Sequence, residues 1–292
     1  MGNRQITPKY FAAQLVGWLE RFITHKSWSV LLMGEYESKA LGEMLSLVQL
    51  TAVHCSDLKR ATMTAEAICA AQPDPKPTAQ TSELLREQSY GSGEGKKWDT
   101  QRIPGLTMNE HYERGLYPTP RNRLDRFPGG ESLEDLAERA AQVIDHILFP
   151  YVWEQAHDGA HIAVVSHGLF LAELISGLVK RNGSQVVQGT SFQPRDFRGM
   201  RNTAWTKVQV TVEPSALKQN SSKEERKLMQ VVVQVMNINN CDHLISLKRQ
   251  RGGIGSSAFD SRQKDIRAFF KRGVAQVRES NKKTDVDEVR SS

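Results

Sequence analysis

The amino-acid sequence predicts an α/β protein, a three-layer sandwich with a mostly parallel sheet flanked by helices. Segments with the composition of strands alternate along the chain with segments of helical spacing, as expected when crossover helices connect parallel strands. The apolar run Ala160–Val165 is typical of a buried central strand, and residues 169–179 are typical of the helix that follows it. Ser132 opens the sequence SLED, a capping-box pattern that predicts a helix over residues 133–153.

Five elements are predicted in the first quarter of the chain. Apolar residues recur at near-helical spacing over residues 10–22, which favours an amphipathic helix. The short apolar run at residues 29–33 favours a buried strand, which is then the first strand of the predicted sheet. The next three elements are a helix over residues 39–48, a strand over residues 51–54 and a helix from about residue 57 to residue 71.

The rest of the chain predicts an edge hairpin and a long excursion from the sheet. Residues 206–212 and 231–236 are rich in β-branched side chains and predict two antiparallel strands. Residues 98–131 contain many Pro, Gly and Arg residues with little periodicity, so they predict the excursion. The predicted organisation has three parts: a helical N-terminal extension (1–28), an α/β domain (29–240) and a basic C-terminal segment with a disordered tail (241–292).

The composition is globular and excludes a membrane-embedded chain. The 292 residues are 39% hydrophobic and 25% charged, and no apolar run predicts a signal peptide or a membrane span. Three cysteines are too few and too scattered to predict a disulfide framework or a zinc cluster. These features favour the cytoplasm, with the nucleus as the alternative, and they predict no metal site and no contact with a membrane.

Polar residues follow three of the predicted strands. Arg60 lies just inside a predicted helix, where a guanidinium group can bind phosphate bidentately. Glu87 follows a predicted strand over residues 83–86 and precedes a glycine-rich segment, where a carboxyl group can act as a general acid. His167 follows Ala160–Val165, and Gly168 opens a helix whose N–H groups can receive an anion. Because ligands bind beyond the carboxyl ends of parallel strands, we expect these residues to share one cleft.

Four motifs in order resemble the histidine phosphatase superfamily, also called the phosphoglycerate mutase-like family. They are SDLKRATMTAEAI (56–68), LLREQSYGSGEGK (84–96), FPGGES (127–132) and VVSHG (164–168). The resemblance covers roughly residues 29–212. It implies a phosphoglycerate mutase-like fold and hydrolysis of a small phosphomonoester through a phosphohistidine, without a metal or an organic cofactor.

The resemblance also implies roles for individual residues. Arg60 matches the arginine that binds phosphate, and Glu87 matches the proton donor. His167 matches the second histidine, which stabilises charge on the transferring phosphoryl group, and Gly168 follows it in the phosphate site. Glu131 falls in the GES turn that lies near the substrate in the family.

The sequence departs from the family at its nucleophile. The family has an Arg-His-Gly triplet after its first strand, and this chain contains no such triplet. Gly34 and Glu35, after the predicted strand at residues 29–33, resemble the end of that turn. An alternative first strand, residues 20–24, leads to His25, which is the candidate for a displaced nucleophile, and His54 is a weaker candidate.

The predicted function is therefore that of an impaired phosphomonoesterase acting on a small phosphorylated substrate. One alternative is a catalytically inactive phosphate-binding scaffold, and a coding stretch lost from the sequence would produce the same gap. The other is a nucleic-acid-associated protein, since residues 248–272 hold eight basic and two acidic side chains. Basic side chains in the long excursion also favour an acidic phosphoester: Arg102, Arg114, Arg121, Arg123 and Arg126.

Overall fold

The computed structural model describes residues 9–16, 27–98, 101–153, 160–181, 194–212 and 231–247. The described strands are β1 (Lys9–Val16), β2 (Ala52–Ser56), β3 (Ala79–Ser82), β4 (Ala160–Val165), β5 (Trp205–Val212) and β6 (Val231–Asn240). The described α-helices are α1 (Ser27–Leu45), α2 (Lys59–Ala71), α3 (Met108–Glu113), α4 (Leu133–Val143), α5 (Phe149–Trp153) and α6 (Gly168–Lys180). Among the helices described, none is both long enough and apolar enough to cross a membrane.

The six described strands form one sheet in the order β3-β2-β4-β1-β5-β6. The pairs β3–β2, β2–β4 and β4–β1 are parallel, whereas β1–β5 and β5–β6 are antiparallel. Val165, the last residue of β4, lies beside Cys55 of β2 on one side and Val16 of β1 on the other. The carboxyl ends of these three strands therefore meet at one edge, and the predicted α/β class with its edge hairpin is confirmed.

Two hydrophobic clusters cover the two faces of the sheet. Alternate residues of β4 point to opposite faces, so Ile162 and Val164 join one cluster while Ala163 and Val165 join the other. The first cluster contains buried side chains of α4 and α6, and the second contains those of α1 and α2. The protein is therefore a three-layer sandwich, as predicted.

The predicted helix over residues 10–22 is wrong where the structure describes it. Lys9–Val16 is a strand that pairs along its length with β5 and over its last six residues with β4. Short apolar runs fit a helix and a buried strand about equally well by spacing, and pairing on both edges satisfies the backbone here. The first strand of the sheet thus lies inside the segment predicted as an N-terminal helical extension.

The predicted strand at residues 29–33 is also wrong. These residues belong to α1, and so do Gly34 and Glu35, which are therefore not the remnant of a turn after the first strand. Further along α1, Leu41 and Leu45 are buried against α2. The first strand of the sheet is β1, which pairs between β4 and β5.

The second half of the chain follows the prediction more closely. Ser132 caps α4 in a capping box with Asp135, which accepts from the backbone N–H of Ser132. A π-helical turn (Ile144–Leu148) then joins α4 to α5 without a break, so the predicted helix over residues 133–153 is confirmed.

The chain divides after Leu247 into two units, Met1–Leu247 and Lys248–Ser292. The second unit contains the basic stretch 248–272 and the predicted disordered tail, and it lies outside the described residues. The predicted binding of nucleic acid by this stretch therefore stays a prediction, and its test is a steep dependence of binding on salt concentration.

Candidate functional site

The candidate site lies at the edge of the sheet where β1, β2 and β4 end. Arg60 is in the first turn of α2, four residues beyond the end of β2. His167 lies between β4 and α6, in an extended backbone conformation. The two side chains meet although 107 residues separate them, since Nε of Arg60 donates to Nδ1 of His167 at 3.0 Å. The fold therefore brings these two residues together, as the sequence predicted.

The His167 imidazole is fully buried and neutral. Burial, and to a smaller extent the positive charges of Arg60 and Arg139, lower its pKa to about 3, while Asp57 acts in the opposite direction. Because Nδ1 accepts a hydrogen bond from Arg60, the ring hydrogen is assigned to Nε2. Nε2 is buried, and it has no partner among the residues that the structure describes. The site thus presents a buried N–H donor beside a guanidinium group, an arrangement suited to an oxygen of an anion.

The Glu87 carboxylate contacts backbone N–H groups at the start of α6, shortly after His167. Oε2 accepts from the N–H of Leu169 at 3.1 Å, and Oε1 accepts from the N–H of Phe170 at 3.0 Å. These are N–H groups of the first turn of α6, which begins at Gly168. A carboxylate is a favourable partner for unsatisfied N–H groups at a helix start. Two of the α6 N–H groups that were expected to bind an anion therefore donate to Glu87 instead.

Glu131 is engaged in a salt bridge that the sequence did not suggest. Its Oε1 accepts from Nε of Arg139 at 2.9 Å, and its Oε2 accepts from Nη2 of the same guanidinium at 2.9 Å. Oε2 also accepts from the backbone N–H of Ser89 at 2.9 Å. Glu131 therefore joins the GES turn to α4 and to the loop after Glu87, and its implied contact with substrate stays a prediction.

Arg139 is the residue of this site that sequence reasoning missed. It lies on α4 beside the buried residues Leu136, Ala140 and Val143, and its side chain is only 14% exposed. A charged residue within the apolar stripe of an amphipathic helix needs a buried partner, and that pattern is the signal that could have identified it.

Two glycine-rich loops position Glu131 by packing closely on each other. Gly91 has φ +51°, and a Cβ there would lie 2.4 Å from the Pro128 carbonyl oxygen. A Cβ on Gly93 would lie 2.5 Å from the ring of Phe127. Gly91 and Gly93 of LLREQSYGSGEGK are thus needed for contact with FPGGES, which explains why the two motifs occur together.

Several arginines of the long excursion have carboxylate partners, so they are not simply a basic surface for an acidic substrate. Arg123 donates two bonds to the buried Glu173, at 3.1 and 2.8 Å, and a third to Glu134 at 2.9 Å. Further pairs in this region are Arg102–Asp125 and Arg126–Asp135. These carboxylate partners therefore weaken the prediction that the loop selects acidic phosphoesters.

The histidines that the structure describes elsewhere lie apart from His167 or have other partners. His54 contacts Tyr151, His111 contacts Ile103 and His243 contacts Thr203. His146 lies in the π-helical turn between α4 and α5, and His161 lies on β4. His25 lies outside the described residues, and the sequence directly after β1 reads Gly17-Trp18-Leu19. Within the described residues no second imidazole joins the candidate site.

The fold and the buried Arg–His pair define an α/β domain with a polar centre at the carboxyl ends of its central strands. The family model of the histidine phosphatase superfamily (branch 1) matches residues 21–213. The chain therefore belongs to the histidine phosphatase superfamily, and the resemblance of the four motifs is confirmed.

Curated relatives agree with this assignment, and a solved structure agrees with the fold. A probable phosphatase of Schizosaccharomyces pombe is 25% identical over 236 residues, which cover 81% of this chain and 68% of that protein. A probable phosphoglycerate mutase, GpmB, of Erwinia tasmaniensis is 28% identical over 151 residues, covering 50% of this chain and 61% of that protein. The phosphoglycerate mutase structure from Bacillus anthracis matches with a TM-score of 0.52 and 16% identity, covering 82% of this chain and 98% of that one. This last likeness supports the fold alone.

Proposed function

We propose that this protein binds the phosphoryl group of a small phosphomonoester at Arg60 and His167, and hydrolyses it far more slowly than family members with an intact Arg-His-Gly triplet. The observation that carries the proposal is the buried Nε2–H of His167, which has no partner among the described residues. A buried donor without a partner costs about 1–3 kcal/mol, and a bound oxygen anion removes that cost. The relatives support the substrate class, since their names are those of a phosphatase and a phosphoglycerate mutase.

Slow hydrolysis follows from the missing nucleophile. In the family mechanism one imidazole attacks phosphorus, a carboxylic acid protonates the leaving oxygen, and water then cleaves the phosphohistidine. This chain has no Arg-His-Gly triplet, so the attacking imidazole and an arginine are missing from their usual place. Removal of a nucleophile in a covalent hydrolase costs on the order of 10⁶ in turnover. Glu87 as proton donor would also have to leave the N–H groups of α6.

Two measurements on the purified chain test the proposal. Calorimetric titration with inorganic phosphate measures binding, and hydrolysis of p-nitrophenyl phosphate measures turnover. We expect saturable binding that His167→Asn weakens, with turnover well below the ordinary enzymatic range of about 1–10³ s⁻¹. The exposed neighbour Lys59 supplies the control, because Lys59→Gln removes a charge near the site without removing a contact to His167.

Three outcomes separate the parts of this proposal. Turnover in the ordinary range that His25→Ala abolishes makes His25 the nucleophile and overturns the impairment. Phosphate binding without any turnover supports the inactive phosphate-binding scaffold. A wild-type chain that binds no phosphate overturns the assignment of the site itself.

A further inference from the structure

The guanidinium group of Arg139 uses all of its hydrogen-bond donors inside the site. Nε and Nη2 donate to the two oxygens of Glu131, as described above. Nη1 donates to the carbonyl oxygens of Leu84 at 2.9 Å and Arg86 at 2.7 Å, and Nη2 also donates to that of Glu87 at 3.2 Å. An arginine side chain has five N–H donors, so these five bonds saturate it.

These bonds act on the segment that carries Glu87. Three backbone carbonyl groups in four residues turn toward one guanidinium group, which defines the path of the chain through Glu87. The Glu87 carboxylate in turn contacts Leu169 and Phe170, directly after His167 and Gly168. A continuous series of contacts therefore connects Arg139 with the start of α6.

Arg139 also contacts α6 directly. Its guanidinium carbon lies 4.9 Å from the centre of the Phe170 ring, within the range of a cation–π interaction. Because Glu131 and three carbonyl oxygens saturate its donors, Arg139 has none remaining for a phosphate oxygen. Its place in the site is thus behind the residues that face the ligand.

We propose that Arg139 is a positioning residue, which fixes the Glu87 segment so that Glu87 closes the start of α6 and His167 keeps Nε2 directed at the phosphoryl group. The proposal rests on the proposed function for the identity of the ligand. Lysine cannot replace this arginine, since a single ammonium group cannot supply five donors in one plane.

The experiment compares Arg139 with an arginine of similar surroundings at the other end of α6. Arg181 pairs with Asp145 at 3.0 Å, and its guanidinium carbon lies 5.9 Å from the centre of the Phe149 ring. Arg139→Lys and Arg181→Lys both retain the positive charge. Titration with inorganic phosphate measures affinity, and ¹⁵N NMR of the His167 ring nitrogens reports which of them carries the hydrogen.

We expect Arg139→Lys to weaken phosphate binding about tenfold and to replace the single His167 tautomer by a mixture. We expect Arg181→Lys to change neither, although both variants lower the melting temperature. Glu131→Gln keeps only one of the two oxygen acceptors that Arg139 contacts. It serves as a second variant if Arg139→Lys does not fold. We expect it to act in the same direction with a smaller effect.

The outcomes distinguish this inference from the proposed function. A wild-type chain that binds no phosphate overturns the proposed function, while the NMR spectra still decide the role of Arg139. An Arg139→Lys variant that folds, binds phosphate as tightly as the wild type and shows an unchanged His167 spectrum overturns the positioning role.

Discussion

His54 and His167 are both buried histidines, one within β2 and one just after the neighbouring strand β4, but their ring nitrogens are partnered differently. His54, in β2, has its Nε2 2.9 Å from the hydroxyl group of Tyr151. His167, after β4, accepts from Arg60 at Nδ1, and its Nε2 has no partner in the described part of the chain. Burial lowers the pKa of both imidazoles. Burial therefore does not distinguish these two histidines; the partners of their ring nitrogens do.

The largest expected effect comes from removing the unsatisfied nitrogen alone. His167→Asn keeps an acceptor near the position of Nδ1 for Arg60 and deletes the donor at Nε2. We expect phosphate affinity to fall about 10–100-fold, the range for a hydrogen bond to a charged group. His54→Asn should change phosphate affinity by no more than about twofold from the wild-type value. Titration calorimetry of both variants makes the comparison, and equal losses in the two would show that His167 is an ordinary core residue.

The next prediction concerns the stability of the folded chain at acidic pH. The pKa of His167 is lowered from 6.5 to about 3 in the folded chain, so below pH 6.5 the unfolded chain binds a proton that the folded chain does not. Stability is therefore lost as the pH falls through this window. Relative to His167→Asn, we expect the wild type to lose about 2 kcal/mol of unfolding free energy between pH 6.5 and about pH 5. Urea denaturation at both pH values measures it, and parallel pH profiles would contradict the shift.

A smaller effect is expected from the cation that contacts His167. Arg60→Lys keeps a positive charge in the first turn of α2 but removes the planar donor that bonds Nδ1. We expect phosphate affinity to fall about 5–10-fold, less than for His167→Asn, because the buried Nε2–H remains. Lys59→Gln is the control in the same titration. A larger loss from Arg60→Lys than from His167→Asn would show that Arg60 contributes more to phosphate affinity than His167 does.

The smallest effect is expected from removing the hydrogen-bond partner of His54. Tyr151→Phe removes the hydroxyl group and leaves Nε2 of His54 without the partner that it has in the wild type. We expect a loss of about 1 kcal/mol in the free energy of unfolding and no change in phosphate affinity. Denaturation and phosphate titration on one preparation measure both, and weakened binding would show that the two histidines are coupled.

Sequence reasoning predicted the elements whose signals are local. The strand Ala160–Val165, the helix after it and the capping box at Ser132 all follow from short stretches of sequence. It failed for residues 10–22 and 29–33, where apolar residues fit either type of element. Pairing with β4 and β5 made residues 10–16, the described part of the first, a strand, and the second became part of α1.

The sequence by itself determined the family, the class of fold and the residue types at the ends of the strands, because motifs, caps and apolar runs are properties of neighbouring residues. Only the tertiary structure decided that Arg60 meets His167 across 107 residues, that Glu87 closes α6, and that Arg139 joins Glu131 to the Glu87 segment. The physical reason is that a buried polar group must be satisfied by whatever the fold brings within hydrogen-bond distance. That partner is set by the packing of the sheet and its helices, and spacing along the chain does not reveal it.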